Sequence, residues 1–371
     1  MKEEITEREE TEAPEENRRN WKALWTVLCV LLALGSLVCV WRWLALRRGL
    51  VSQQAAERWQ GEGELRYGQV SCFVPETEAL GKNGVYAFRA ALGDALKKSM
   101  AEVGDQRLWR DAWCSMDTLP VSSAKADVSA EVVAVGGDFF AFHPLRLLSG
   151  GYLREDELAQ DRIVLDQELA WRLFGGVELQ GMEVRINGQA FFVAGVVERE
   201  QDAASLLANV SEQTLYMNWD AYAALTKKDG IIAYEYLLPE PVENFAIQAA
   251  REKFPLGRGY AVANTGRFSI PRLYELVKNW DERAMQSAGL RLPYWENAAR
   301  ITENRCVRLL IAAIALALLP LISLIVWLWK LLGRGKEAFS ERLFPRLKEG
   351  TEELFRRPAR RRWEKKHPGE K

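Results

Sequence analysis

Two long apolar runs bracket a middle segment of mixed pattern. Residues 23–41 (ALWTVLCVLLALGSLVCVW) and 309–329 (LLIAAIALALLPLISLIVWLW) contain no charged residue. A helix rises 1.5 Å per residue, so about 20 such residues cross a ~30 Å hydrocarbon layer. Trp21, Trp25, Trp41 and Trp43 flank the first run, and Trp327 and Trp329 end the second. Indoles favour the membrane–water interface, so this is an anchoring pattern. The predicted spans are 21–46 and 306–330. Pro320 is a candidate kink in the second, tolerated in lipid where the freed carbonyl finds another partner. The first run is too long for the apolar part of a signal peptide, and an acidic leader precedes it.

Between the spans the periodicity changes. Residues 69–74 (QVSCFV) predict a strand and 83–103 a helix, with Asn83 as its cap. Val85, Phe88, Leu92, Leu96 and Val103 recur at three-to-four spacing on one face of that helix. Residues 107–116 predict a second strand, completing a βαβ unit. A similar unit follows at 233–238, 242–254 and 259–264, with Pro241 at the first helical position. About 100 residues separate the two, which predicts one α/β subdomain interrupted by an insertion. The insertion is β-rich, at about 130–200. Short strands are predicted at 131–135 and 162–166, with a short helix over 167–174 ended by Gly175-Gly176. Asn187-Gly188 between two strand-like runs is a hairpin signal, because both residues tolerate positive φ. The predicted class is α+β: a porter-like split βαβ subdomain with an inserted β-rich subdomain, between two transmembrane helices. Residues 270–305 are read as a stalk packing on 50–60 or as a core helix, and Tyr294-Trp295 as an interface pair or part of the core.

Charge fixes the expected orientation. The net charge is -1, so bulk charge suggests no nucleic-acid partner. Lys and Arg tie around the first span, but Lys330, Arg334, Lys336, Arg342 and ten more Lys or Arg residues follow the second. That excess predicts a cytoplasmic C-terminus. Two spans then predict an acidic cytoplasmic tail over 1–20, an extracytoplasmic domain over 47–305 and a basic cytoplasmic tail over 331–371. The lipid bilayer of the cell membrane is the first expected partner. The tail at 334–357 mixes Phe339, Leu343, Phe344 and Leu347 with basic residues, as a segment that docks on lipid or a partner or as a solvated tail.

Candidate chemistry is sparse. The two His, His143 and His367, are isolated, and no CxxC occurs. A zinc site needs about four clustered N or S ligands, so no metal or other cofactor is expected. Glu155, Asp156 and Glu157 are adjacent acids in a turn-like stretch, read as solvated or capping rather than catalytic. No G-x-S-x-G or HExxH occurs, and no enzyme activity is expected. Gly333-Arg-Gly-Lys336 lacks the length and hydroxyl of a phosphate-cradling loop. Cys72 and Cys114 fall on the two strands of the first βαβ unit. They form a disulfide if those strands are neighbours, and otherwise two reduced, buried thiols.

Residues 132–157 (VVAVGGDFFAFHPLRLLSGGYLREDE) and 162–198 (RIVLDQELAWRLFGGVELQGMEVRINGQAFFVAGVVE) resemble the periplasmic core domain of MacB-type and FtsX-type ABC transporter permeases. The parts that carry the resemblance are Asp138-Phe139-Phe140, the stretch to Gly150-Gly151, the helix ending at Phe174, and the Gly181–Gly188–Gly195 hairpin region. TLYMNWDAY (214–222) matches the family's exit from this region, and Gly151 replaces the usual Arg. The resemblance covers roughly residues 50–265. It implies an ABC-type ATPase and permease subunits as partners, in a homo- or hetero-oligomer. A full permease of this kind has one helix before the core domain and three after it, whereas this sequence supplies one after. The expectation is a non-catalytic permease-type subunit that couples a separate cytoplasmic ATPase to an extracytoplasmic substrate or partner. The alternatives are a stand-alone membrane-anchored binding or scaffold protein and a cell-surface enzyme.

Overall fold

The computed structural model describes residues 2–63, 65–99, 108–209, 211, 213–281 and 289–338. The amphipathic-tail expectation at 334–357 lies almost wholly outside them. Two long helices, α1 (Lys2–Gly49) and α10 (Tyr294–Ala338), each contribute to two compact units. One unit is built on α1 up to Trp41 and on α10 from Leu309. There the helices run antiparallel: Trp25 Nε1 donates to Ser323 Oγ at 3.1 Å, and Ser36 Oγ to the Ala313 carbonyl at 3.0 Å. Gly35 lies where an added Cβ would sit 3.4 Å from Leu316, so the helices approach closely. Many apolar side chains of this unit, such as Leu31, Leu37, Ile314 and Ile325, are exposed. Both helices are long and apolar enough to cross a membrane. α10 continues through Pro320.

The second unit, Arg42–Arg308, holds one ten-stranded sheet. Its strands are β1 (Tyr67–Phe73), β2 (Arg110–Ser122), β3 (Asp127–Gly137), β4 (Leu147–Gly150), β5 (Arg162–Asp166), β6 (Glu183–Ile186), β7 (Gln189–Val197), β8 (Thr214–Asn218), β9 (Ala233–Pro239) and β10 (Tyr260–Ala263). The described helices between α1 and α10 are α2 (Ala55–Gln60), α3 (Lys82–Ser99), α4 (Phe139–Phe142), α5 (Gln167–Phe174), α6 (Ser205–Ala208), α7 (Trp219–Thr226), α8 (Phe245–Lys253) and α9 (Ile270–Lys278).

The strand order is β10-β1-β9-β2-β3-β8-β5-β7-β4, with β6 beside β2 and β7. β9 pairs antiparallel with both β1 and β2, and β1 with both β9 and β10. The two βαβ units therefore interleave, each holding a strand of the other between its own pair, as in ferredoxin-like sheets. This corrects the disulfide expectation. β9 stands between Cys72 and Cys114, two strand spacings of about 4.8 Å each, beyond the ~7 Å limit for a bridge. The two thiols also face opposite sides of the sheet, and both are free and buried.

Alternation along the strands builds two cores. Val70, Cys72, Trp113, Tyr234 and Tyr236 face α3 and α8, where Phe88 meets Tyr234, Tyr236 and Phe254 edge-on at 5.4, 5.6 and 4.9 Å. Phe73, Ala112, Cys114, Met116 and Leu237 face the other way, under α2, α4 and the start of α10. β2 is long enough to pair with β9 near its start and with β3 along eleven registered positions, which carries the sheet into the inserted strands. Local signals place most of that insertion. Asp166 caps α5 by accepting from Leu169 N at 2.7 Å, and Gly175 ends it at φ +80. Asn187 (φ 50) and Gly188 (φ 84) turn the β6–β7 hairpin.

Two helix starts differ from expectation. α8 begins at Phe245, not 242, because residues 240–244 form a turn closed by Phe245 N to the Val242 carbonyl and by the left-handed Asn244. Asn83 lies inside α3 rather than capping it. Trp295 belongs to the core, packed on His143 and Phe139 at ring distances of 4.3 and 5.6 Å.

Candidate functional site

At the corner where β3 ends, the chain must reverse against β2. Gly137 adopts φ +66, and an added Cβ there would lie 2.4 Å from the Asp111 carbonyl. Asp138 N then donates to that same carbonyl at 2.8 Å. The reversal launches α4, whose first residues Phe139 and Phe140 point to different places. Phe139 is buried in the core. Phe140 stacks on Tyr152 at 4.8 Å. A cleft of about 590 Å³ opens here, lined among others by Trp59, Arg110, Asp138, Phe140, Tyr152 and Glu155. Arg110 lies 4.2 Å over the Trp59 ring and 2.9 Å from Asp138 Oδ1. Glu155 is paired with Arg89 at 3.2 Å, and Asp156 with Arg154 at 3.0 Å. The cleft thus offers stacked aromatic walls with an Arg–Asp pair on its rim, an arrangement suited to binding.

Behind α4 runs a chain of buried polar groups. His143 Nε2 lies 2.5 Å from Glu235 Oε2, and Ser71 Oγ donates to Glu235 Oε1. Asn264 Nδ2 donates to Ser71 Oγ at 2.7 Å, and Arg267 Nη1 to Asn264 Oδ1 at 3.3 Å. Arg267 grips Glu296 with two nitrogens at 2.7 and 2.8 Å, and Glu303 with Nε at 2.6 Å. Arg267 is only 4% exposed and Glu296 1%. Burial alone would depress the Arg267 pKa, but the Glu296 and Glu303 carboxylates overcome it and hold it well above the ordinary value. The chain starts beside α4, crosses β9 and β1, and ends on α10.

α4 is also held from α2, where Arg58 Nη2 donates to the Ala141 carbonyl at 2.9 Å and the Phe142 carbonyl at 3.1 Å. One short turn therefore carries the cleft on one side and is gripped by α2 and α10 on the other.

Of the residues singled out in the sequence, Asp138, Phe139 and Phe140 meet at this corner. Gly150 and Gly195 face each other across β4 and β7. A Cβ at Gly150 would lie 2.1 Å from the Ala194 carbonyl, and one at Gly195 2.5 Å from the Gly151 carbonyl, so this pair serves close backbone approach. Phe174, Gly181 and Gly188 lie away from the cleft, at the end of α5 and around the hairpin. Sequence reasoning missed Trp59, Arg110, Tyr152 and the whole chain from His143 to Glu303. The available signals were a carboxylate amid aromatic strand residues (Ala233-Tyr-Glu235-Tyr) and a lone His in an apolar stretch (Phe142-His143-Pro144). Among the described residues no three His, Cys, Asp or Glu side chains cluster as metal ligands.

The family model of the MacB-like periplasmic core domain matches residues 52–253, more than half of the chain. No curated protein matches the sequence. Among solved structures, the extracellular domain of the noncanonic ABC-type transporter YknZ from Gram-positive bacteria aligns at 10% identity and TM-score 0.38, over 53% of this chain and 99% of its own. The periplasmic region of MacB from Actinobacillus actinomycetemcomitans aligns at 13% identity and TM-score 0.38, over 57% and 92%. A domain of a putative permease protein from Porphyromonas gingivalis aligns at 11% identity and TM-score 0.31, over 53% and 88%.

Proposed function

The chain belongs to the family of MacB-like periplasmic core domains, and from that premise we propose that it is a non-catalytic, permease-type subunit of an ABC transporter or mechanotransmission complex. α1 and α10 span the cytoplasmic membrane, both chain ends face the cytoplasm, and the sheet unit stands outside. A separate cytoplasmic ATPase does the chemical work. The sheet unit passes the resulting movement to a substrate or partner outside the membrane. The observation that supports this reading is the grip of α2 and α10 on α4 through Arg58, Trp295 and the His143–Glu235–Arg267–Glu296 chain. A shift of either helix is thereby delivered to the walls of the cleft, because packed interiors transmit displacement rather than absorb it.

Co-purification in mild detergent tests the reading. Recovery of a nucleotide-binding ATPase with the tagged chain is the expected result. Repeated recovery of the chain with no nucleotide-binding protein overturns it. The cleft itself favours a second reading, a stand-alone membrane-anchored binding or scaffold protein. In that case a ligand or partner protects the cleft while no ATPase co-purifies.

A further inference from the structure

α9 packs Leu273 and Leu276 inward but leaves a broad part of its apolar face outside the domain. Leu273 is buried, but Ile270, Tyr274 and Val277, at helical spacing, are 58%, 67% and 48% exposed, and Trp280 beyond them is 48% exposed. The polar residues Arg272, Glu275, Lys278 and Asn279 are exposed as well, on the opposite side of the helix. Arg272 donates to Asn244 Oδ1 at 2.6 Å, and Arg272, Glu275 and Asn279 line a recess shared with Arg251, Tyr260 and Arg300. A contiguous apolar stripe left outside in this way marks a surface that something apolar covers.

The level of α9 identifies the cover. Trp43, in the last apolar residues of the first span, donates its indole Nε1 to the Phe268 carbonyl at 3.2 Å. Phe268 stands two residues before α9. Arg47 and Arg48, one turn beyond Trp43, line a recess with Phe268 and Gly266. Trp at the end of an apolar run marks the headgroup level, and Arg just beyond it matches phosphate. We propose that α9 lies in the outer headgroup–acyl boundary of the bilayer, with Ile270, Tyr274, Val277 and Trp280 dipped among the acyl chains and Arg47 and Arg48 on lipid phosphates. A short helix with one apolar face binds a membrane surface in this manner. The inference rests on the reading of α1 and α10 as spans, and gives the sheet unit a lipid contact besides them.

The test uses the full chain in nanodiscs of phosphatidylcholine and phosphatidylglycerol, doped with a phosphatidylcholine carrying a diazirine high on one acyl chain. After irradiation and tryptic digestion, adducts are mapped by mass spectrometry. Peptides 268–272 and 273–278 are expected to carry label, as are span peptides 23–42 and 309–330. Peptide 155–162, with its 99% exposed Leu158, stays unlabelled. Tyr274→Asp with Val277→Asp is expected to lower label on 273–278 at least fivefold while the span peptides keep theirs. Labelled spans with an unlabelled 273–278 overturn the inference alone. Equal labelling of 155–162 overturns it as non-specific capture. Unlabelled spans overturn the spanning reading and the inference with it.

Discussion

Both faces of the ferredoxin-like strands carry an apolar core, but they differ in how much buried polar bonding is added to it by residues that alternate along the same strands. Under α3 and α8 the contacts are mostly apolar or aromatic, from Val70, Cys72, Trp113, Tyr234 and Tyr236, with Asp111 held by Arg89 and Tyr234 as the buried charged group. Under α4 and α10 the intervening positions, Ser71 and Glu235, join His143, Asn264, Arg267 and Glu296 in a buried hydrogen-bonded chain. Apolar packing is non-directional, so the first face holds its helices mainly by burial, with Arg89 of α3 on Asp111 at 2.6 Å and the Tyr236 hydroxyl on the Ala246 carbonyl at 2.6 Å as its few directional bonds. Charged hydrogen bonds are short and directional, so the second face fixes one position of α10 relative to β1 and β9. A buried ion cluster adds little net stability over a well-packed apolar replacement. Its use here is geometric: one face supplies stability, the other a defined linkage from α4 to α10.

Substitutions can break this contrast. Arg267→Leu leaves Glu296 and Glu303 buried without their main cation, and removing one partner of such a cluster costs about 3–5 kcal/mol. Urea unfolding of the full chain in detergent, followed by circular dichroism, measures it. The triple change Arg267→Met, Glu296→Leu and Glu303→Met is expected to restore stability to within ~1 kcal/mol of the starting protein, because the desolvation cost goes with the charges. If the triple variant is as unstable as Arg267→Leu, the cluster contributes stability in its own right and the contrast fails. On the apolar face, Leu92→Ala opens a cavity costing roughly 2–5 kcal/mol. Leu92→Met should recover most of that loss, a tolerance the polar face lacks. Ser71→Ala, which strips a partner from both Glu235 and Asn264, is expected to cost about 1–3 kcal/mol. A loss under ~0.5 kcal/mol would mean that water replaces the hydroxyl and that the chain is not continuous.

The same contrast separates what the residue pattern discloses from what it conceals. Features set by neighbours in sequence were legible: the Asn187-Gly188 hairpin, α5 between Asp166 and Gly175, and the apolar face of α3. The two βαβ units were legible as units. Period-two alternation tells which face a side chain takes but not which strand lies beside it, so the interleaving that separates Cys72 from Cys114 was not. Pro241 was a fair helix-start signal, overridden by the turn that closes on Asn244. At the site, Asp138-Phe139-Phe140 stood out as a contiguous motif. Trp59 and Arg110 come from elements about 50 residues apart, and Arg267 meets partners 29 and 36 residues away. A charge in the sequence does not reveal that it will be buried, and only the fold converts these ordinary charges into a linkage.

The weakest expected effect serves as the yardstick. Asp117 on β2 pairs with Lys228 at 2.6 Å, near the surface, where the Lys228 side chain is 63% exposed. Burial alone would raise the Asp117 pKa, but the Lys228 ammonium and the Thr118 N–H reverse it and hold the carboxyl below its ordinary value. A folded-state pKa below the unfolded one means that the unfolded chain binds the proton first. The pair's contribution is therefore full above the unfolded pKa of about 3.9 and is lost as pH falls through the depressed folded value. Lys228 is raised, chiefly by its hydrogen bond to Asp117, which sets the opposite edge: its share is full below about 10.4 and is lost as pH rises through the raised value. Exposed pairs contribute about 0.2–1 kcal/mol, and salt screens them. Asp117→Asn should therefore destabilise by less than ~1 kcal/mol at neutral pH and by nothing measurable once the pH has fallen through the depressed folded value, and the difference should shrink in 1 M salt. The Arg267→Leu cost should survive the same salt almost unchanged, because ions do not reach a 4% exposed guanidinium. Equal salt sensitivity at the two sites would show that solvent enters the α10 face, and would remove the physical ground for assigning it a fixed linkage.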